Sequence, residues 1–185
     1  QSGTPSQKGV PDVLFQETYH LMYLQIGGFI MENRIMLTKP IFEWLIEHLV
    51  FIEENMDELV NFYYPNLPIE QENMKKFFVG YIKKIEAELE KIEIVNTIDK
   101  FRYTDRLNEF SFVIIGSQVD VIDVSAKTST SLKLIHPVEQ SRRKNEITYL
   151  STLGRSLLLK EVGSEVVINT ASTLQRYRVK SIKLL

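Results

Sequence analysis

The stretch Tyr64-Pro65-Asn66-Leu67-Pro68 decides how the middle of this chain folds, because its two prolines end one helical pattern and admit another. Each proline lacks an amide donor and biases the residue before it away from the α region. Upstream, Leu45, Leu49, Ile52, Met56, Leu59 and Tyr63 recur at steps of three and four, one apolar seam down a helix expected from about Pro40 to about Tyr63. Thr38 stands where an N-cap belongs, Pro40 is tolerated in the first turn, and Leu37 is placed to staple onto Phe42. Downstream, Met74, Phe78, Ile82, Ile85, Leu89 and Ile92 repeat the spacing, with Lys83, Lys84, Glu86, Glu88 and Glu90 off the seam. Two such helices joined by a short proline turn must lie antiparallel. At about 1.5 Å per residue each arm is on the order of 35 to 40 Å long, a rod with its tip near Pro65 to Asn73. Packing alone accounts for both seams.

On either side of the hairpin the pattern changes. Residues 1–12 are rich in Ser, Gly, Pro and Gln, and Gly27-Gly28 interrupts the apolar stretch from Val13 to Met36. Residues 1–36 are expected to be a leader, either flexible or foreign to the natural protein, and no signal-peptide pattern is recognisable in them. Residues 98–111 are mixed and charged, as a linker or an outer helix would be. Phe112 to Ile115, Gln118 to Val124, Ser131 to His136, Glu146 to Leu150, Glu165 to Asn169 and Arg176 to Lys183 read as short strands. Gly154 to Lys160 reads as one short helix, and Thr170 to Gln175 as a hairpin turn. The expected architecture is α+β: a leader (1–36), an antiparallel coiled-coil hairpin (37–97), a linker (98–111) and a small antiparallel β domain with one short helix (112–185).

The 185 residues are 44% hydrophobic, contain no cysteine and carry a formal charge of −2. These facts exclude a disulfide scaffold, a cysteine-ligated metal and a cysteine nucleophile, and no apolar run approaches the roughly 18 residues of a membrane span. The small net charge hides a segregation, since residues 37–97 carry −6 and residues 98–185 carry +5. An acidic hairpin and a basic second half are two units with different surfaces. The hairpin charges are read either as a solvated face or as groups that basic walls of a partner would hold.

Four stretches of the second half stand out: Ile115-Gly116-Ser117-Gln118-Val119, Ile147-Thr148-Tyr149-Leu150-Ser151-Thr152-Leu153-Gly154-Arg155-Ser156-Leu157-Leu158, Lys160-Glu161-Val162-Gly163-Ser164-Glu165-Val166 and the closing Tyr177-Arg178-Val179-Lys180-Ser181-Ile182. Through them the second half resembles the carboxy-terminal, FKBP-like domain of the bacterial GreA/GreB transcription elongation factors. Order and spacing agree over about 70 residues, and an antiparallel hairpin precedes the domain in that family as it does here. Thr152 replaces the family's proline before the Leu-Gly pair, and Ser164 replaces the acidic residue after the Val-Gly turn.

The resemblance implies a cytoplasmic bacterial protein that binds RNA polymerase, meets nucleic acid only within the transcription complex, and inserts its hairpin tip into the polymerase's secondary channel. It is not expected to be an enzyme itself, at most an accessory to the polymerase's own transcript cleavage. In the family the tip carboxylates help hold a magnesium ion shared with the polymerase, which needs hard oxygen ligands and orients the hydrolytic water. Glu72-Asn73 matches half of the family's tip motif, but the position three before Glu72 is Ile69, so Glu70 is the neighbouring carboxylate able to serve with Glu72. Residues two apart on a helix point about 200° from each other, so the pair serves one ion only if that turn is irregular. Otherwise both simply favour a helix N-terminus. Docking on polymerase falls, by resemblance, to Ser151, Leu153, Gly154 and Arg155.

Two functions are thereby expected: stimulation of transcript cleavage through Glu70 and Glu72, or cleavage-silent occupation of the channel. An interaction protein similar to the family's short-hairpin Rnk relatives is the alternative. Arg142-Arg143-Lys144 and the alternating Arg176, Arg178 and Lys180 are basic enough to touch phosphates, but lack interleaved stacking aromatics. Prolyl isomerase chemistry would need an aromatic-lined pocket, and Phe112, Tyr149 and Tyr177 are few. His20, His48 and His136 are dispersed along the chain and read as ordinary structural histidines.

Overall fold

The computed structural model describes residues 34–95, 106–137, 143–169 and 174–185. Its first element is strand β1 (Ile35–Thr38), which passes directly into helix α1 (Lys39–Tyr63). Thr38 takes the N-cap position with extended backbone, but its side chain makes no capping bond. Instead its N–H donates to Asn108 Oδ1 at 2.9 Å. α1 buries Phe42, Leu45, Leu49, Ile52, Leu59 and Val60, so the expected seam is the inner face, widened by Phe42 and Val60.

The proline turn reverses the chain through Asn66 in the left-handed region, at φ 62°, a conformation asparagine tolerates well. Gln71 ties the turn together, donating from Nε2 to Tyr64 O at 2.7 Å and to Asn61 Oδ1 at 3.1 Å. Helix α2 (Pro68–Leu89) returns antiparallel and buries Phe78, Tyr81, Ile82 and Ile85. At about 1.5 Å per residue the two arms are about 37 and 33 Å long. Ile92, read as the last member of the second seam, instead opens strand β2 (Ile92–Val95), which pairs in parallel with β1 from Ile35↔Ile92 to Thr38↔Val95. A second reversal at Glu90-Lys91 makes this possible, with Lys91 N–H donating to Glu88 O at 2.9 Å.

The second half builds five strands, β3 (Ser117–Asp123), β4 (Thr128–Ile135), β5 (Glu146–Thr148), β6 (Glu165–Asn169) and β7 (Leu174–Leu184), with helix α3 (Thr152–Leu157) between β5 and β6. Their order is β5-β4-β3-β7-β6. All neighbours are antiparallel except β4 and β5, which pair in parallel from Lys133↔Glu146 to Ile135↔Thr148. The sheet is therefore mixed where a purely antiparallel one was expected.

Three local expectations are corrected. Phe112 to Ile115 is a buried crossing segment rather than a strand. Only Phe112 makes an isolated bridge, to Glu161, while Val113 exchanges hydrogen bonds with Lys160 O and Leu159 N at 2.9 and 2.8 Å. The short helix begins at Thr152 rather than Gly154, because Ser151 caps it. Leu174 and Gln175, read as turn, already belong to β7, and residues 170–173 of that turn lie outside the described residues.

Stretches first set apart as leader and linker also carry structure. Residues 1–33 and 96–105 lie outside the described residues. Ile35 and Met36, however, lie in β1, and Phe110 is 3% exposed. Asn108 accepts Leu184 N–H and donates its own N–H to Met36 O, both at 2.8 Å, so one residue ties β1 to β7.

Hairpin and sheet share one buried core. Gly116, at φ +93°, passes so close to Trp44 that a Cβ built there would sit 2.4 Å from the indole ring. Trp44 stacks on His48 at 5.3 Å between ring centroids. Tyr81 is fully buried, and its hydroxyl accepts Ile115 N–H at 3.0 Å while sharing a 2.8 Å hydrogen bond with His48 Nε2. Lys84 lies 4.4 Å from the centroid of the Phe112 ring and donates to Leu159 O at 3.3 Å. Apolar and aromatic burial of this kind is the largest favourable contribution to the fold.

Candidate functional site at the hairpin tip

The tip rests against the sheet. At the end of α1 the Tyr63 hydroxyl and His136 Nδ1 share a hydrogen bond at 3.3 Å. In the turn that follows, Tyr64 OH accepts from Arg155 Nη2 at 3.1 Å. Tyr149, 1% exposed, packs edge-on against Tyr63, Phe78 and His136. Aromatic rings from the hairpin and from the sheet thus form one layer beneath the turn.

Glu70 and Glu72 both lie in the first turns of α2, which runs unbroken from Pro68. A regular helix turns about 200° over two residues, so their side chains leave on different sides. Glu70 lines a cavity that also involves Asn73, Arg155 and Tyr149. Glu72 instead pairs with Lys76 at 3.3 Å, both well exposed. The carboxylates are not brought together. Among the described residues no cluster of three or more His, Asp or Glu is placed to hold a metal ion.

The Ser151 to Arg155 turn divides by role. Ser151 Oγ donates to Thr148 O at 2.8 Å and accepts Gly154 N–H at 3.0 Å, capping α3. Gly154 is buried with Thr148 O where a Cβ would go, and Leu153 is half-buried against the core. Arg155 is exposed. Ser151 and Gly154 therefore shape the turn, which leaves Arg155 and the outer part of Leu153 to meet anything outside.

Of the basic groups, Arg142 lies outside the described residues, and Arg143 reaches Glu146 at 4.0 Å. Arg178 pairs with Glu165, while Arg176 and Lys180 are exposed. Exposed pairs of this kind contribute little to stability.

His20 lies outside the described residues. His48 and His136 are 88 positions apart in sequence and yet influence each other. Burial lowers His48 to about 4, with His136 adding to the effect, and burial lowers His136 to about 4. Both rings are neutral at pH 7, and on unfolding both return towards the ordinary value of 6.5. As the pH falls the unfolded chain therefore takes up protons first, so stability present above about pH 6.5 is lost towards pH 4. The expected loss is about 1–2 kcal/mol per histidine by about pH 5. Urea unfolding at the two pH values checks this, and equal stabilities would contradict neutral burial of the rings. Linear spacing gave no sign of this pair, because their proximity comes from packing the hairpin on the sheet.

An antiparallel helical hairpin followed by a five-stranded mixed sheet with one capped helix defines a two-part α+β chain. The family model for the carboxy-terminal domain of the transcription elongation factor GreA/GreB matches residues 108–184. Over those residues the chain is similar to the carboxy-terminal domain of the GreA/GreB family. Transcription elongation factor GreA of Francisella philomiragia is 26% identical over 104 residues, covering 56% of this chain and 61% of the relative. GreA of Thermodesulfovibrio yellowstonii is 26% identical over 108 residues, covering 58% and 63%. GreA of Desulfotalea psychrophila is 34% identical over 71 residues, covering 38% and 44%. The chain thus spans less than two thirds of the length of each. Among solved structures, GreA/GreB from Nitrosomonas europaea superposes at a TM-score of 0.40 with 19% identity, over 81% of this chain and 99% of that one. Gfh1 from Thermus aquaticus gives 0.36 with 21% identity, over 82% and 99%. These superpositions are too loose to bear on the assignment. No helix among the described residues is long and apolar enough to cross a membrane.

Proposed function

We propose that this chain is a Gre-type transcription factor that binds RNA polymerase through the sheet domain and modulates elongation or initiation without supplying a paired-carboxylate metal site. The observation that carries the cleavage-silent reading is the regular helix at Glu70 and Glu72. Mg²⁺ demands near-ideal octahedral oxygen ligands at about 2.0–2.1 Å. Carboxylates on different sides of a helix end on the order of 10 Å apart, so one ion does not gain both. The match of residues 108–184 to the carboxy-terminal domain of GreA/GreB supports the choice of partner. Arg155 and Leu153 are the groups assigned to the polymerase contact. The acidic hairpin favours a channel lined with bases, and this attraction weakens with salt.

The test is a titration of the chain against core RNA polymerase, repeated with Glu70→Ala/Glu72→Ala. Wild-type binding is expected, with the double variant within about threefold of it, because each exposed charge contributes only a few tenths of a kcal/mol. Absence of wild-type binding at any ionic strength would sink the polymerase reading. A loss of a hundredfold or more in the variant would return the two carboxylates to the centre of the function.

A further inference from the structure

The cavity beneath the tip, of about 440 Å³, is walled on one side by the start of α2 and on the other by α3 and the residue pair before it. Its volume falls within the roughly 300–1,000 Å³ usual for small-ligand sites. Met74 and Phe77 give it an apolar wall from α2, and Leu158 one from the end of α3. Glu70 from α2 and Arg155 from α3 both line it, and among the described residues no ion pair joins them. The cavity therefore offers one group of each sign with a gap between them.

The Arg155 side is rich in donors. Tyr64 OH accepts from Arg155, which leaves its own proton free to donate. Tyr149 also lines the cavity, and its hydroxyl is buried with no hydrogen-bond partner. A buried hydroxyl left without a partner costs on the order of 1–3 kcal/mol, so it is expected to be satisfied in some working state of the protein. Arg155 lines the same cavity as Tyr149, so the orphan hydroxyl and the guanidinium belong to one site. An acceptor bearing negative charge suits this corner, a group bearing positive charge suits Glu70, and an apolar body suits the walls between.

We propose that this cavity binds a free α-amino acid with a large apolar side chain, its carboxylate on Arg155 and Tyr149 and its ammonium on Glu70. The bound molecule would bridge α2 to α3, and so tighten the hairpin on the sheet. The inference does not depend on RNA polymerase being the partner.

The test is calorimetric titration and thermal unfolding of the full chain with L-phenylalanine and L-leucine at up to millimolar concentration. N-acetyl-L-phenylalanine, which lacks the ammonium, and L-phenylalaninamide, which lacks the carboxylate, run beside them. The free amino acids are expected to bind and to raise the unfolding temperature. Each blocked analogue should bind at least about tenfold more weakly, the fold-change that matches loss of one charge-assisted hydrogen bond. Glu70→Gln should erase the preference for phenylalanine over its N-acetyl form. Tyr149→Phe should weaken phenylalanine binding while leaving the free protein as stable as before or more so, since it removes an unpartnered hydroxyl. No binding of either amino acid at millimolar concentration overturns the proposal. So do blocked analogues that bind as well as the free forms, or a Tyr149→Phe variant with undiminished affinity.

Discussion

Tyr81→Phe is expected to destabilise the chain by about 2–4 kcal/mol although it removes a single oxygen. That oxygen accepts Ile115 N–H at 3.0 Å and shares a hydrogen bond with His48 Nε2 at 2.8 Å, with Tyr81 and Ile115 buried and His48 half-buried. Burial also pushes the phenol above its usual pKa, so it stays neutral and keeps its proton for the bond with His48. Removing the hydroxyl strands a buried backbone donor of the sheet half and takes a partner from a ring nitrogen of the hairpin. Urea unfolding should show a lower midpoint with an unchanged slope. A cost below about 0.5 kcal/mol would mean that hairpin and sheet are not joined there.

Gly154→Ala is expected to cost about 3 kcal/mol or more. An added Cβ would lie 2.1 Å from Thr148 O, a backbone atom that no side-chain rotation can move aside. That carbonyl is itself held by Ser151 N–H at 3.1 Å and Ser151 Oγ at 2.8 Å. The clash therefore spreads into the cap of α3 and displaces Arg155 with it. Gly80→Ala is the matched control, because nothing lies within 4 Å of a Cβ there, in the middle of α2. It should stabilise by about 0.5–1 kcal/mol through helix propensity. Thermal unfolding of the two variants side by side should show shifts of opposite sign, and equal shifts would contradict the packing around α3.

Much of this architecture was legible before any coordinates, for identifiable reasons. The heptad-like steps from Leu45 to Tyr63 and from Met74 to Leu89 report an apolar face directly, and Pro65 and Pro68 mark the reversal. Periodicity says that a face is buried, but not what buries it. Tyr63 and Phe78 read as hairpin seam, yet the structure sets them against His136 and Tyr149 of the second half, and it sets Tyr81, which the seam did not include, against Ile115. Ile92 escaped for a related reason, since one apolar residue at the right step fits a helix or a short strand equally well. The parallel β5 could not be foreseen, because three residues, Glu146 to Thr148, carry no sign of the direction of their partner. At the tip, the angular separation of Glu70 and Glu72 follows from their spacing alone, whereas the cavity behind Glu70 is made by Arg155 and Tyr149, some eighty positions away.

The most direct measurement is the rate of transcript shortening in stalled, backtracked RNA polymerase complexes, with the chain added at concentrations that saturate binding. Binding is expected with a shortening rate equal to that of polymerase alone, unchanged by Glu70→Ala/Glu72→Ala. Accelerated shortening by the wild-type chain that the double variant loses would contradict it, and would require Glu70 and Glu72 to converge on one metal ion when bound.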